Sequence, residues 1–318
     1  MTLTIGVDVG GTKIAAGLVG ADGTVLATLR RPTPAQQAGA VADAIAAAVT
    51  ELAATPAAAG GVEAVGIGAA GFVNAQRTTV LFAPNLAWRD EPLAATVGER
   101  TGLPVIVEND ANAAAWGEFR FGAARDASST LVITVGTGIG GGIVLDRHLM
   151  RGSHGFAAEV GHINIKPGGR RCGCGLRGCW ERYASGTALV HEARELASVS
   201  PVQGARLLEL AGGDAEAITG LHVTQAAREG DAAAIEVFDT VGRWLGHGIA
   251  DMVAALDPEV IVLAGGVSEA GELLRAPAQR TFEKNLTAKA FRVVPQIRLA
   301  TLGNAAGMVG AADLARSR

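Results

Sequence analysis

The sequence has few cysteines, no excess of positive charge and no long apolar run, and each shortage excludes a class of protein. Three cysteines in 318 residues are too few for the dense disulfide framework of small secreted domains. No run of about 18 apolar residues occurs, so a membrane-spanning helix is not expected. The net charge of −4 provides no basic surface for nucleic acid or an anionic membrane.

The amino-terminal residues, MTLTIGVDVGG, lack the basic and apolar regions of a secretory signal. Because cysteines outside an export pathway stay reduced, the sequence predicts a cytoplasmic protein. The chain is long enough for one large domain or for two lobes with separate cores.

All three cysteines lie in one short loop within residues 159–181. Glycines separate Cys172, Cys174 and Cys179, and His162 lies ten residues before the first of them. Three thiolates and one imidazole form a closed tetrahedral ligand set for structural Zn²⁺. A disulfide would leave one cysteine unpaired, and buried inert thiols are more typical of apolar strands and helices than of a Gly/Arg-rich loop. We therefore predict a zinc ion that stabilises the loop and takes no part in catalysis.

Two carboxylates flank this cysteine loop. Glu159 lies three residues before His162, and Glu181 lies two residues after Cys179. They are either solvated surface residues or, if the zinc loop orients them, members of a polar pocket with His162. Carboxylates and an imidazole in such a pocket suit the hydroxyl groups of a sugar, because each accepts or donates in fixed directions.

Two glycine-rich turns each lie between apolar, β-branched segments. The first is GGTK after Asp8, and the second is GTGIGGG over 136–142. Glycines let backbone N–H groups approach an anion, so each turn is a candidate phosphate site. The Walker pattern is absent, and a Rossmann turn would need a helix after the glycines, where a β-rich run follows here. The repetition indicates a duplicated core.

Two further junctions follow predicted strands. ENDAN at 108–112 ends one strand at the position where α/β folds place ligands. Asn109 and Asp110 suit a helix N-cap, yet two acid and amide pairs exceed the need of one cap. AlaGlyGlyVal at 264–267 follows another strand and is either a nucleotide contact or an ordinary turn. Asn85, in a predicted loop, is either a turn residue or a ligand contact.

Apolar periodicity and turn residues predict the secondary structure. The predicted strands cover 3–8, 14–19, 24–29, 62–69, 105–107, 131–135, 143–145, 260–263 and 298–301. The predicted helices cover 35–54, 111–121, 184–196, 223–228, 232–256 and 304–314.

These motifs together resemble a known family across essentially the whole chain. DVGGTK, ENDAN, GTGIGGG, EVGH, CGCGLRGCWE and LAGGV occur in the order found in the ROK family of sugar kinases and repressors, at 8–13, 108–112, 136–142, 159–162, 172–181 and 263–267. The cysteine cluster with EVGH upstream is the most specific part of the resemblance. Within the family, the chain is most similar to the bacterial ATP-dependent kinases of glucose.

The resemblance implies a fold and a division into lobes. The fold would be the two-lobed α/β actin-like fold of sugar kinases, Hsp70 and actin, with a duplicated hairpin-bearing core and a zinc-binding loop. Residues 1–108 with a closing helix over 302–318 would form the small lobe, and residues 109–301 the large lobe with the zinc loop. The family's repressors carry an amino-terminal DNA-binding extension, whereas this sequence begins at the first predicted strand.

The resemblance also implies roles for individual residues. Asp110 would be the catalytic base that accepts the proton of the sugar 6-hydroxyl. The sugar would be bound by Asn109, Glu159, His162 and Glu181, with Gly71 and Asn85 as further candidates. ATP would be contacted by Gly10, Gly11, Thr12, Lys13, Thr137, Gly138, Gly265 and Gly266, and Asp8 would assist Mg²⁺. The zinc ligands would be His162, Cys172, Cys174 and Cys179, and His162 would use its second ring nitrogen for a sugar hydroxyl.

The implied activity is transfer of the γ-phosphoryl group of MgATP to the 6-hydroxyl of glucose. Kinases of N-acetylglucosamine or N-acetylmannosamine share every motif, and fructose or allose are further acceptors. A sugar-sensing regulator would keep the fold without turnover, but the intact Asp110 argues against it. Relatives that use polyphosphate generally lack the cysteine loop, which favours ATP. No nucleic-acid or membrane partner is expected, and the family implies a homo-oligomer, a dimer or larger.

Overall fold

The computed structural model describes residues 2–317, which contain thirteen strands and ten α-helices. The strands are β1 (Leu3–Val9), β2 (Lys13–Val19), β3 (Val25–Pro32), β4 (Val62–Ala69), β5 (Phe72–Val73), β6 (Val80–Phe82), β7 (Arg89–Glu91), β8 (Val105–Asn109), β9 (Thr130–Val135), β10 (Ile139–Leu145), β11 (His148–Leu149), β12 (Val260–Ala264) and β13 (Gln296–Leu299). The helices are α1 (Ala38–Ala53), α2 (Leu93–Thr101), α3 (Asp110–Phe121), α4 (Glu181–Ala184), α5 (Gly186–Val199), α6 (Ala205–Leu210), α7 (Gly220–Arg228), α8 (Ala232–Leu256), α9 (Glu272–Asn285) and α10 (Ala306–Arg316).

The chain divides into two compact units. The first unit comprises Met1–Val132, Gly141–Ala158 and Thr301–Arg318, and the second comprises Ile133–Gly140 and Glu159–Ala300. These units are groups of residues in mutual contact. The boundary between functional lobes at residues 108 and 109 stays a prediction.

The first sheet has the strand order β3-β2-β1-β4-β8. Strands β1 to β3 form an antiparallel meander, and β4 and β8 continue it in parallel with β1. Strands β1 and β4 are apolar and buried along most of their length, as expected of strands covered on both faces. In β3, half-buried and exposed residues alternate, as expected of an edge strand with one covered face.

The second sheet has the order β11-β10-β9-β12-β13. If strands are numbered along the chain within each sheet, both sheets have the order 3-2-1-4-5. The predicted duplication of a hairpin-bearing core is therefore confirmed. Strand β10 begins at Ile139, so Gly140 and its two following glycines lie inside the strand, and the predicted start at residue 143 is wrong. Glycine is needed at Gly142, because a Cβ there would lie 2.2 Å from the Cβ of Ala115.

Helix α10 packs on β4 and on α3 with backbone against backbone. A Cβ at Gly66 in β4 would lie 1.8 Å from the carbonyl oxygen of Ala311, and a Cβ at Gly310 would lie 1.8 Å from that of Ala113. Carbonyl groups inside a helix accept hydrogen bonds along the helix, so they cannot turn away to make room. Small residues at these positions therefore hold the last helix in the interior of the first unit.

A buried carboxylate fixes the segment that precedes α10. Glu118 of α3 is fully buried and accepts hydrogen bonds from the N–H groups of Thr301 at 3.1 Å and Leu302 at 2.8 Å. It also accepts a bond from the N–H of Ala123 at 2.8 Å. Backbone donors thus satisfy a charge that would otherwise be costly to bury.

The predicted elements agree best where apolar periodicity is long. The strand over Val62–Ala69 and the helix over Ala232–Leu256 have the predicted bounds, and β13 lies two residues before its predicted position. The short strands β5 to β7 and the helices α2, α6 and α9 lie outside the predicted elements. Within residues 2–317, no helix combines the length and apolar character needed to cross a membrane.

We expect Gly66→Ala to lower the free energy of unfolding by about 1–3 kcal/mol, because β4 would have to move away from α10. Urea unfolding followed by circular dichroism measures the change. Gly60→Ala is the matched control, because no heavy atom lies within 4 Å of a Cβ at that position. Equal midpoints for wild type and Gly66→Ala would contradict the backbone packing described here.

Candidate active site

The first glycine turn joins β1 to β2, and its backbone is held from two sides. The N–H of Gly10 donates to the carbonyl oxygen of Lys13 at 3.0 Å, and the hydroxyl of Thr33 donates to the carbonyl oxygen of Gly10 at 2.8 Å. A Cβ at Gly11 would lie 3.2 Å from the Cβ of Asn85. Asn85, a predicted sugar contact, therefore lies beside the predicted phosphate turn.

The carboxylate of Asp8 lies where β1 ends, close to the start of α10. A Cβ at Gly307 would lie 3.4 Å from its Cγ and Oδ1. Burial raises the pKa of Asp8, and the charge of Lys13 opposes this shift. A bound cation would favour the charged carboxylate, so the chemistry suits the predicted role with Mg²⁺.

The junction between β8 and α3 brings Asn109 and Gly71 together. The Oδ1 of Asn109 accepts the N–H of Asn112 at 3.0 Å and caps α3, and its Nδ2 donates to the carbonyl oxygen of Gly71 at 3.2 Å. A Cβ at Gly71 would lie 2.5 Å from the carbonyl oxygen of Phe82, so the position accommodates only glycine. The N-cap interpretation of Asn109 is correct, and one N–H of its amide is already used by the protein.

Asp110 is the first residue of α3 and is half-buried. Its Oδ1 accepts the N–H of Ala111 at 2.9 Å. The amino-terminal end of a helix favours a negative charge, so α3 stabilises the ionised carboxylate that a general base needs.

The second glycine turn is contacted by the start of α5. The N–H of Gly186 donates to the carbonyl oxygen of Gly136 at 2.8 Å, and the hydroxyl of Thr187 donates to that of Thr137 at 2.6 Å. Gly186 and Thr187 are missing from the predicted contacts. Ser185, which caps α5, is the sequence signal that could have indicated them.

A cavity of about 1010 Å³ lies in the second unit, beside this glycine turn. Its volume is at the upper end of the range for small-molecule sites, about 300–1,000 Å³, and is sufficient for a nucleoside triphosphate. It is lined by the predicted contacts Thr137 and Gly266, by Gly136 of the same turn, and by residues of α5 and α7, among them Thr187, Arg194 and Leu221.

The two glycines after β12 have different surroundings. Gly266 lines the cavity, whereas Gly265 has a φ of +85° and lies against β9. A Cβ at Gly265 would lie 2.6 Å from the carbonyl oxygen of Val135. Gly265 therefore allows the chain to turn and pack closely, and Gly266 faces the nucleotide-sized space.

The cysteine loop brings the four predicted zinc ligands together. The ligand atoms of His162 and the three cysteines all lie within 4.8 Å of one another. The Sγ atoms of Cys174 and Cys179 are 3.6 Å apart, and Nδ1 of His162 is 3.6 Å from Sγ of Cys172. A disulfide needs about 2.05 Å. Zn–S bonds of about 2.3 Å in a tetrahedron place sulfurs about 3.8 Å apart, so these residues fit Zn²⁺.

Metal binding would change the protonation of the thiols. Burial raises the pKa of Cys172 and of Cys179, so both would carry protons at neutral pH without a cation. A metal ion binds thiolates and displaces those protons. Among the loop glycines, Gly175 and Gly178 have φ values of +92° and +81°, which glycine adopts without strain.

The predicted sugar-binding residues of the second unit lie beside the metal ligands. The carboxylate of Glu181 accepts a hydrogen bond from the thiol of Cys172 at 3.0 Å and lies 3.9 Å from Nδ1 of His162. Glu159 is exposed as a residue, but desolvation of its carboxyl group raises the pKa of that group. The charge of His162 opposes this shift, and the charge of Glu181 adds to it. Because Nδ1 of His162 faces the cysteines, Nε2 is the nitrogen left for a second partner.

The two sheets share one strand order, a nucleotide-sized cavity lies beside one glycine turn, and a Cys₃His cluster fits Zn²⁺. The sequence profile of the ROK family matches residues 4–318. The chain therefore belongs to the ROK family.

Individual relatives cover the whole chain. The glucokinase of Streptomyces coelicolor is 49% identical over 316 residues, which is 99% of this chain and 98% of the relative. The crystal structure of a ROK family glucokinase from Streptomyces griseus, in complex with glucose and AMPPNP, has a TM-score of 0.89 and 51% identity, covering 99% of this chain and 100% of that chain. The N-acetylmannosamine kinase of Escherichia fergusonii is 35% identical, with 98% of each chain covered.

We expect Cys174→Ala to lose the bound zinc, because only two thiolates and one imidazole would remain of the four ligands. Metal analysis of the purified protein by mass spectrometry should find about one zinc per wild-type chain and far less in the variant. His191→Ala is the control: His191 is exposed and lies in a cluster with Glu192 and Glu195, and its loss should leave the zinc content unchanged. Wild-type protein without zinc would refute the metal site.

Proposed function

We propose that this protein phosphorylates glucose at its 6-hydroxyl with MgATP, as a glucokinase. The observation that carries the proposal is the full-length similarity to a glucokinase solved with glucose and an ATP analogue, at 51% identity. The nucleotide-sized cavity at the second glycine turn and the half-buried carboxylate of Asp110 support it independently.

Asp110 is the general base of the proposed reaction. It accepts the proton of the 6-hydroxyl while the oxygen attacks the γ-phosphorus and ADP leaves with the bridging oxygen. Its contribution is about 10²–10⁴-fold by the usual range for such catalysis. Phosphoryl transfer has a loose transition state, so positioning and charge neutralisation supply most of the remaining acceleration.

Each of the two glycine turns is a candidate phosphate site in this proposal. Gly11 presents its backbone N–H group, Gly10 closes the turn through its hydrogen bond to Lys13, and Lys13 adds a positive charge, while Asp8 assists the Mg²⁺ of the substrate MgATP. In the second unit, Thr137 and Gly138 bind phosphate, and Gly266 lies against the nucleoside.

The proposed ligands of the sugar hydroxyls are polar side chains. In the first unit, Asn109 still has one amide N–H for a sugar oxygen after its bond to Gly71. In the second unit, Glu159, Glu181 and Nε2 of His162 supply acceptors or a donor. The zinc ion would be held by His162 and the three cysteines and would stabilise this part of the loop.

We expect Asp110→Asn to fold normally, to bind glucose and to lose most of kcat, about 10²–10⁴-fold, because the amide cannot accept the hydroxyl proton. A coupled assay of ADP release and calorimetric titration with glucose separate turnover from binding. Asp43→Asn, at an exposed position of α1, is the control and should have wild-type kcat. Near-normal turnover of Asp110→Asn would exclude Asp110 as the base.

The sugar preference is tested by kcat/KM for glucose, mannose, fructose, N-acetylglucosamine and N-acetylmannosamine with ATP. We expect glucose to be preferred, because the relatives of highest identity described above are glucokinases. Preference for an N-acetyl sugar would move the protein to the second candidate function, which its similarity to an N-acetylmannosamine kinase favours. Binding without turnover of any sugar would instead indicate a regulator.

The same assay with polyphosphate in place of ATP tests the phosphoryl donor, and we expect activity with ATP. The predicted homo-oligomer stays a prediction, which sedimentation of the purified protein would measure.

A further inference from the structure

Glu108 is a buried acidic residue of the first unit that the mechanism has not used. It is the fourth residue of β8 and is 2% exposed. Its Oε1 accepts the N–H of Asn109 at 3.1 Å and the Nδ2 of Asn112 at 3.2 Å. Its Oε2 accepts the Nε of Arg151 at 2.6 Å and lies 3.5 Å from the Nε of Arg77. Both carboxylate oxygens are therefore engaged.

We propose that Glu108 is a positioning residue for phosphoryl transfer, which holds the Asn109 peptide and thereby sets the position of Asp110. Because Glu108 acts through Asp110, this role rests on the proposed function. The N–H that it accepts belongs to the residue directly before the base, and its second bond on Oε1 reaches the first turn of α3. The carboxylate thus connects the end of β8 with the start of the helix that carries the base.

Two arginines hold this carboxylate from segments remote in sequence. Arg151 follows β11, and Arg77 lies in the turn between β5 and β6. The carbonyl oxygen of Arg77 also accepts the N–H of Val107 at 2.8 Å, so its backbone is tied to β8 as well. Glu108 is in this way fixed from both sides.

The charges of the three groups depend on each other. The pKa of Arg77 is lowered to about 10, mainly by burial and also by the charge of Arg151, while the charge of Glu108 opposes the shift. Removing the negative charge would leave two nearby cations without compensation. A buried ionic cluster is a poor means of gaining stability compared with apolar packing, but it can specify one geometry.

Capping of α3 does not explain Glu108, because Oδ1 of Asn109 already accepts the N–H of Asn112. What Glu108 adds is a fixed orientation of the peptide before Asp110. A displacement of about 1 Å at a reacting group can lower the rate on the order of 10²-fold. The rate depends in this way on the position of the Asp110 oxygens relative to the attacking hydroxyl.

The test is a double-mutant cycle between Glu108→Gln and Asp110→Asn, with kcat and KM measured for both substrates. In the wild-type background we expect Glu108→Gln to lower kcat on the order of 10²-fold with little change in KM for ATP. In the Asp110→Asn background, measured at high enzyme concentration, we expect Glu108→Gln to lower kcat by about twofold or less, because the group that Glu108 positions is already lost.

Asp313→Asn is the matched control. Asp313 is a 4% exposed carboxylate of the same unit that accepts bonds from Nε1 of Trp116 at 2.8 Å and from Arg120 at 2.9 Å. Its substitution should lower the unfolding midpoint and leave kcat unchanged. If Glu108→Gln does not fold, Arg151→Gln removes the nearest partner of the carboxylate instead, and we expect the same pattern with a smaller loss.

The outcomes separate the two proposals. Wild-type turnover of Asp110→Asn would overturn the proposed base. A strongly lowered kcat in Asp110→Asn, combined with an equal further loss from Glu108→Gln in both backgrounds, would overturn the positioning role alone, as would wild-type kcat in Glu108→Gln. Loss of stability in Glu108→Gln equal to that in Asp313→Asn, with unchanged kcat, would make Glu108 a structural residue only.

Discussion

The second unit depends on the close approach of three thiols and an imidazole in a segment with little apolar surface to bury. Between Cys172 and Cys179 the largest apolar side chain, Leu176, is 60% exposed, whereas Trp180, directly after the last cysteine, is fully buried. Hydrophobic burial therefore anchors the end of the loop, and a bound Zn²⁺ would stabilise the segment between the cysteines. His162 and Glu181 lie at the two ends of the loop, so the ligand set also determines where the predicted sugar-binding groups lie.

The site residues could be predicted from the sequence wherever the residues of one motif lie close together in the chain. The glycine turns, the cysteines and ENDAN each place their decisive residues within a few positions, and α8 has a clear Asp231 cap and an Asp-Pro stop. Helix α9 was harder to predict, because its residues are largely polar and include Pro277. The partners of the site were not predictable, since Thr187 reaches the second glycine turn and Arg151 reaches Glu108 only through the folded chain.

Helix α3 has a buried glutamate beside each of its ends. Glu108 precedes the helix and holds its first turn, while Glu118 lies in its last turn and binds the backbone at Thr301 and Leu302. One rigid helix therefore carries the proposed base at its start and, near its end, binds the segment at Thr301 and Leu302 where the chain re-enters the first unit. Replacing either glutamate by an apolar residue would leave buried donors unsatisfied, a larger penalty than a lost surface contact.

The position of α10 in the fold has a consequence for biosynthesis. The first unit needs Thr301–Arg318 for its interior, yet these residues leave the ribosome only after all of Glu159–Ala300. Until then, the faces of β1, β4 and α3 that α10 covers remain open on the nascent chain. At about 5–20 residues per second, that interval is on the order of ten seconds, during which these faces can bind chaperones or other nascent chains.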